Sequence, residues 1–333
     1  MRAFLLDGYG AIADHVKLAD VVDPIPRFNE VAIEIHAASL NPIDFKIVRG
    51  DLKRVSKYQL PRTFGFDASG VVLSAGSQTT KFKPGDVVYA RASRESIGTF
   101  AERIALPEQF VALKPARVSH AEAASLPLVG LTTLQGFGKV GARAGQRILI
   151  HAGAGGIGTF AVQYAKHIGL HVTSTTSSKN ADFVKSLGAD RVIAYDRENY
   201  LEQGGDYDIV YDTLGGAFTI DAFKVVKRGG AVISLSGPPD RDFARRMGAG
   251  LVVRVAVWLM SRKVYAASEA AGASYCWFFT EPDGEQLREI AGLVDSGAIK
   301  PVIDREFAFE QLPEALAYLE KGRARGKVVL KVK

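Results

Sequence analysis

The sequence predicts a two-domain α/β protein, one domain a doubly wound parallel sheet and the other a compact β-rich unit. Three observations predict it. At 333 residues the chain exceeds what one core comfortably holds. From about residue 121, apolar strands and helical stretches alternate, a rhythm that requires a parallel sheet with crossover helices. The first 120 residues show instead short strands punctuated by turns.

The elements follow in order. EVAIEIHAASL (30–40) alternates as a strand, SGVVLSAG (69–76) is β-branched and ends in glycine, and KPGDVVYA (83–90) sets a Pro-Gly turn before a strand. AEAASLPLVGLTTLQGFGKV has helical periodicity, with Pro127 beginning or breaking a helix. Strands then read at RILIHA (147–152), HVTSTT (171–176), RVIAYD (191–196), YDIVYDTLG (207–215) and GGAVISLSG (229–237). Helices read at IGTFAVQYAKHIG (157–169) and NADFVKSLGA (180–189). The tail gives a helix (285–297), a strand (300–309), a helix (313–324) and a last strand (326–332). A terminal strand finds a sheet to pair with, so the tail is expected to return to the first domain. The expected division is 1–122 with 271–333 for the β-rich domain and 123–270 for the parallel-sheet domain.

Gly153-Ala154-Gly155-Gly156-Ile157-Gly158 lies between a strand and a helix, the setting in which G-x-G-x-x-G carries meaning. Gly153 permits a tight turn, Gly155 lets backbone approach a pyrophosphate, and Gly158 lets helix pack on strand. The helix N-terminus then presents N–H groups and partial positive charge to phosphate. A dinucleotide with free ribose hydroxyls needs an acid about 20 residues on, at the end of the second strand. That place reads Ser174-Thr175-Thr176-Ser177-Ser178-Lys179, with no acid before Asp182. Hydroxyls and a lysine suit a 2′-phosphate, which a carboxylate would repel. The missing acid therefore points to NADP(H).

Composition narrows the rest. Forty-two Lys and Arg against 36 Asp and Glu give +6, and no basic block stands out, so nucleic-acid binding is not expected. The single cysteine, Cys276, rules out an internal disulfide and a Cys-rich zinc site, and its apolar setting predicts an inert thiol. The opening MRAFLLDGYG has no long apolar core, and LVVRVAVWLM (251–260) is too short to span a bilayer. No membrane association is expected, and a cytoplasmic location is.

With LNPIDFKIVRG (40–50), FGFDASGVV (64–72), GTFAERIALP (98–107), AASLPLVGLTTLQGF (123–137), HAGAGGIG (151–158), SLGADRVIAYD (186–196), DTLGG (212–216) and GKVVL (326–330) in order, the chain resembles the medium-chain dehydrogenase/reductase superfamily. The likeness is to its zinc-independent quinone oxidoreductases, the zeta-crystallin-like and enone reductase branch. It implies a Rossmann domain, a GroES-like domain formed by both ends of the chain, NADPH in the cleft between them, and a homodimer. Zinc alcohol dehydrogenases carry a Cys ligand where this chain has Asn41, and Gly-His-Glu where it has Gly65-Phe66-Asp67. Phe66 can coordinate nothing, which disfavours alcohol oxidation.

The resemblance implies Gly155, Gly156 and Ile157 at the pyrophosphate, and Ser177, Lys179 and Tyr195 near the 2′-phosphate. It implies Leu214, Gly215, Leu235, Ser236 and Gly237 at the nicotinamide end, with Lys327 approaching from the C-terminal strand. Asn41, Asp44 and Thr132 would face nicotinamide and substrate. Each has a plainer reading: Asn41 shapes a turn before Pro42, Asp44 pairs with Lys46 or an arginine, Tyr195 ends a strand, and Leu235 is core. The expected activity is NADPH-dependent reduction of a quinone or an α,β-unsaturated carbonyl, with Asn41 donating to the developing oxyanion and Tyr58 or solvent giving the proton. The rival from another class is a non-catalytic NADPH-binding protein. Residues 238–280 depart from the family pattern and read equally as a substrate lid carrying Trp258, Tyr275 and Trp277 or as a dimer-contact helix and linker.

Overall fold

The computed structural model describes residues 1–53, 58–246 and 248–333. Two compact units result: Met1–Leu131 with Glu281–Lys333, and Thr132–Thr280. The second unit is thus inserted into the first.

In the second unit six parallel strands run in the order Arg191–Ala194, His171–Thr176, Arg147–Ile150, Tyr207–Asp212, Val226–Ser234, Ser274–Cys276. The order reverses around Arg147–Ile150, the first strand, which is the doubly wound arrangement expected from the alternation. Successive residues of that strand serve opposite faces. Ile148 and Ile150 pack with Val172, Ile209, Tyr211 and Ile233, whereas Leu149 packs with Ile193, Val210 and Val232 on the other side. Both faces are covered, so the strand reads as continuous apolar sequence.

The first unit is built on the eleven-residue strand Glu30–Leu40. It pairs antiparallel with Asp67–Ala75, Arg103–Pro107 and the C-terminal Lys327–Lys331, and Val328 stands opposite Leu40. The tail therefore joins the first sheet, with Ile303–Ala308 parallel to the last strand at its edge. Val87–Arg91 and Val111–Leu113 complete that sheet, and Arg2–Leu6, Val16–Asp20 and Arg62–Thr63 form a small second one. Phe64, Phe66 and Phe100 are fully buried in the core they enclose.

Two sequence expectations resolve locally. Pro127 begins a helix, Pro127–Lys139, where its missing N–H and fixed φ cost nothing, while a separate turn of helix precedes it at His120–Ala124. The stretch 238–280 contains one long helix, Leu251–Ala271, followed by the edge strand Ser274–Cys276. The unmatched stretch 51–63 lies partly outside the described residues, at 54–57.

Candidate active site

In the second unit the glycines earn their places sterically. A Cβ on Gly153 would lie 2.1 Å from Ser174 Oγ, and one on Gly158 would lie 2.2 Å from the Ala152 carbonyl oxygen. Gly155 differs: its Cβ would meet only the Ala152 oxygen, at 3.3 Å, leaving the other side open. Ala152 itself holds φ +54°, a left-handed conformation costly for a residue with a side chain. Gly155 caps the Gly156–His167 helix, whose first turn holds no acid. The N–H groups of Gly156, Ile157 and Gly158 find no backbone acceptor among the described residues. Open space above Gly155 and three unpaired N–H groups at a twelve-residue helix make a cradle that fits a dinucleotide pyrophosphate.

Ser177, Lys179 and Tyr195 cluster where the second and third strands end: the Tyr195 N–H donates to Thr176 O, and Lys179 and Tyr195 are exposed. Sequence order hid one neighbour. Asp196 arrives from the next strand and accepts from Ser178 N–H at 2.7 Å and Ser178 Oγ at 2.6 Å. Those two bonds hold its carboxyl below the usual range, and both oxygens are spent on the Ser178 turn.

A second missed residue organises the loops expected at the nicotinamide end. Asp212 is fully buried, and its Oδ1 accepts from Leu214 N–H and Gly215 N–H, each at 2.9 Å. Its Oδ2 accepts from Thr219 Oγ1 at 2.5 Å and Ser234 Oγ at 2.7 Å, and Ser234 Oγ in turn accepts from Gly237 N–H. One carboxylate thus fixes both loops. Gly215 takes φ +77° against Ser236, whose carbonyl oxygen would stand 2.6 Å from a Cβ there, so glycine is required. Leu214 is 45% exposed, and Leu235 packs partly buried against the core. Thr132 is buried, its Oγ1 2.7 Å from Thr280 Oγ1 in the same unit. His151 is buried against Tyr200 and Phe218; burial lowers its pKa to about 4, so it is a neutral packing residue at ordinary pH.

The first unit assembles a different centre. Asn41, Asp44, Asp67, Lys327, Ser39 and Arg91 are all buried. The sheet register explains the meeting: Ser39, Asp67 and Arg91 stand opposite one another on three neighbouring strands, and Val328 opposite Leu40 brings Lys327 to Asn41. Lys327 Nζ donates to Leu40 O at 3.0 Å and Asn41 Oδ1 at 2.5 Å, and lies 3.6 Å from Asp67 Oδ2. Asp67 Oδ2 accepts from Asn41 Nδ2 at 2.9 Å and Ser39 Oγ at 3.1 Å, and Oδ1 accepts from Leu128 N–H at 3.0 Å. Burial raises the Asp67 carboxyl and lowers the Lys327 ammonium, while each favours the other's charge.

Asp44 lies in the first turn of the Pro42–Arg49 helix and accepts from Asn41 N–H at 2.6 Å through Oδ2. Its Oδ1 is buried with no partner among the described residues. Burial, helped by the neighbouring Asp67 charge and opposed by the Asn41 N–H, pushes its pKa up to about 8. The plain reading of Asp44 as a partner of Lys46 is replaced by this capping contact. Arg91, which nothing in the sequence marks, lies with its guanidinium 5.4 Å over the Phe66 ring, and its Nε and Nη1 have no acceptor among the described residues.

Of the residues expected at the site, Asn41, Asp44 and Lys327 meet in the first unit, with Lys327 bonded to Asn41. Thr132, the glycine loop, Ser177, Lys179, Tyr195, Leu214, Gly215, Leu235, Ser236 and Gly237 belong to the second. Tyr58 packs against the first core with Arg62 5.1 Å over its ring.

Family models match both parts of the chain, the alcohol dehydrogenase GroES-like domain over residues 27–116 and the zinc-binding dehydrogenase over 187–330. A 2-methylene-furan-3-one reductase from Solanum lycopersicum is 36% identical across 99% of this chain and 79% of its own. The chain belongs to the medium-chain dehydrogenase/reductase superfamily. An NADPH-dependent alkenal/one oxidoreductase of Arabidopsis thaliana, named as chloroplastic, is 33% identical over the same shares. The quinone oxidoreductase of Coxiella burnetii superposes with a TM-score of 0.86, at 31% identity, over 100% of this chain and 99% of that one. These relatives place the chain in the quinone oxidoreductase and enone reductase branch of the superfamily.

The second family description raises zinc, and the donors here do not fit it. An amide at Asn41, already bonded at both ends, and a phenyl ring at Phe66 stand where dehydrogenases of that type put thiolate and imidazole. The described residues hold no group of three His, Cys, Asp or Glu side chains able to take a metal. No helix among them is long and apolar enough to cross a membrane.

Proposed function

We propose that this superfamily member is an NADPH-dependent reductase of quinones or α,β-unsaturated carbonyls that works without zinc. The observation that carries the reading is the phosphate end of the second unit: a glycine cradle with open N–H groups, followed by Ser177, Lys179 and Tyr195 with no acid terminating the second strand. Bound NADPH supplies hydride to an electron-poor acceptor. The residues supply position and field. Gly155 to Ile157 hold the pyrophosphate, Lys179 and Tyr195 the 2′-phosphate, and the Asp212-braced loops at Leu214–Gly215 and Leu235–Gly237 fix the nicotinamide end.

Asn41 spends one amide proton on Asp67 and keeps a second for the acceptor oxygen. The buried cations Arg91 and Lys327 bias that region toward developing negative charge. Asp44 holds a proton at neutral pH, and its bare Oδ1 is the atom to which this reading assigns it.

The test follows loss of nicotinamide absorbance with a quinone, an alkyl enone and an alkenal in parallel, with NADH and a chelator as controls. Chelator-resistant oxidation preferring NADPH is expected, and the fastest acceptor names the substrate class. Tight NADPH binding with no oxidation by any acceptor would overturn the reading in favour of a binding protein. We further assign a homodimer, in which the edge strand Ser274–Cys276 offers unpaired backbone for a second copy, to be checked by light scattering. A cytoplasmic location suits a chain with one cysteine and no disulfide to gain from oxidation; fractionation tests it.

A further inference from the structure

The Leu251–Ala271 helix is two-faced in an unusual sense. Val257, Ser261, Val264 and Ser268 are buried, a spacing of four, three and four that keeps them on one side. At 100° per residue, Leu251, Val255, Trp258 at the edge, Leu259 and Val252 occupy the opposite side, where a surface helix ordinarily carries charge. They are instead 76, 48, 50, 48 and 84% exposed. Arg262 and Lys263 continue the same outward stripe one turn later, and both are exposed.

The charge pattern selects the occupant. Within Leu251–Ala271 the charged residues are Arg254, Arg262 and Lys263 against one acid, Glu269, which is already paired with Arg241 at 3.4 Å. An antiparallel second copy centred on Val255–Leu259 would set Arg262 and Lys263 against Val252 and Leu251, where their charges find no partner. A bilayer presents the complement: an apolar interior beneath a layer of negative phosphate. The helix cannot cross that bilayer, since three cations interrupt it. A helix with apolar residues on one exposed side and cations beside them lies in the interface plane.

We propose that the outward stripe of the Leu251–Ala271 helix docks this protein on the surface of an anionic phospholipid bilayer, with Leu251, Val255, Trp258 and Leu259 in the headgroup–acyl boundary and Arg262 and Lys263 on the phosphates. The protein then works at the membrane surface and not free in solution, in place of the expectation of no membrane association. The proposal is independent of the reductase reading, because vesicle binding is measured without turnover.

The experiment mixes the full chain with phosphatidylcholine vesicles, with or without phosphatidylglycerol, and reads co-flotation and tryptophan emission. Expected are binding about tenfold stronger to the phosphatidylglycerol vesicles at low salt, weakening as salt rises, and a blue shift that W258F abolishes. The triple variant L251S/V255S/L259S and the pair R262Q/K263Q each reduce flotation to the phosphatidylcholine level while NADPH binding is retained. Should those variants fail to fold, the lipid and salt dependence of the unmodified chain decides alone. Equal binding to both vesicles, or none, overturns the proposal. So does light scattering in which L251S/V255S/L259S converts a dimer to a monomer, which would give the stripe to a second copy.

Discussion

Two buried aspartates, one in each unit, differ in how many donors reach their oxygens. Asp212 accepts four hydrogen bonds, two from backbone and two from hydroxyls, and leaves neither oxygen bare. Asp44 accepts one at 2.6 Å and buries its second oxygen without a partner. The first is scaffold: its energy goes into fixing loops. The second is held near its titration point by its surroundings, the condition found at sites that move protons. Saturation by donors, more than burial itself, separates the two.

The largest effect is expected from breaking the saturated one. D212A strands two loop N–H groups and two hydroxyls, and should cost about 4 kcal/mol in urea unfolding, with a raised KM for NADPH. Retention of wild-type stability would dissolve the contrast. Next, K327M leaves the buried Asp67 carboxylate without its cation, at about 3 kcal/mol. K327R, unable to reproduce the compact contact with both Leu40 O and Asn41 Oδ1, should recover only part of it.

The Asp44 prediction carries a pH sign. Its folded pKa lies above the unfolded value of 3.8, so its stabilisation is complete below pH 3.8 and is lost as pH rises toward about 8. D44N cannot ionise, and the wild type should fall behind it by on the order of 2 kcal/mol between pH 5 and pH 6.5 in paired melts. Parallel curves for the two proteins would mean that Asp44 does not titrate in this window. Smallest is the exposed cation at the phosphate end: K179A should weaken NADPH binding about tenfold and leave NADH unchanged. Equal losses for both cofactors would remove Lys179 from the 2′-phosphate.

What the sequence made legible follows the range of the interactions. The Gly156–His167 helix and the His171–Thr176 strand are read almost to the residue, because periodicity and glycine positions are local signals. The close packing at Gly158 is equally visible in the motif, whereas the crowding of Gly153 against Ser174 comes from the neighbouring strand. The Asp212 brace was not: its hydroxyl partners stand 7 and 22 residues away, and only the folded sheet brings them to one carboxylate. Asp196 is hidden for a similar reason: the second strand ends without an acid, while this carboxylate arrives from the neighbouring strand, 18 residues from Ser178. Arg91 has no local mark at all; register with Asp67 alone reveals it. The 238–280 stretch reads as lid or dimer-contact helix because periodicity shows that a helix has two sides, not which of them finds cover.

The bond from Lys327 to Asn41 spans 286 residues, and the whole Thr132–Thr280 unit lies between its ends. On the ribosome, Asn41 and Asp67 emerge early and wait for their counter-charge until the last strand is made. At about 5–20 residues per second that interval is on the order of tens of seconds. The inserted unit, contiguous in sequence, can complete its own core during the wait. The Asn41–Asp67–Lys327 centre is therefore the last piece of the molecule to close, and a chain truncated just before its final strand would leave a carboxylate buried without its cation.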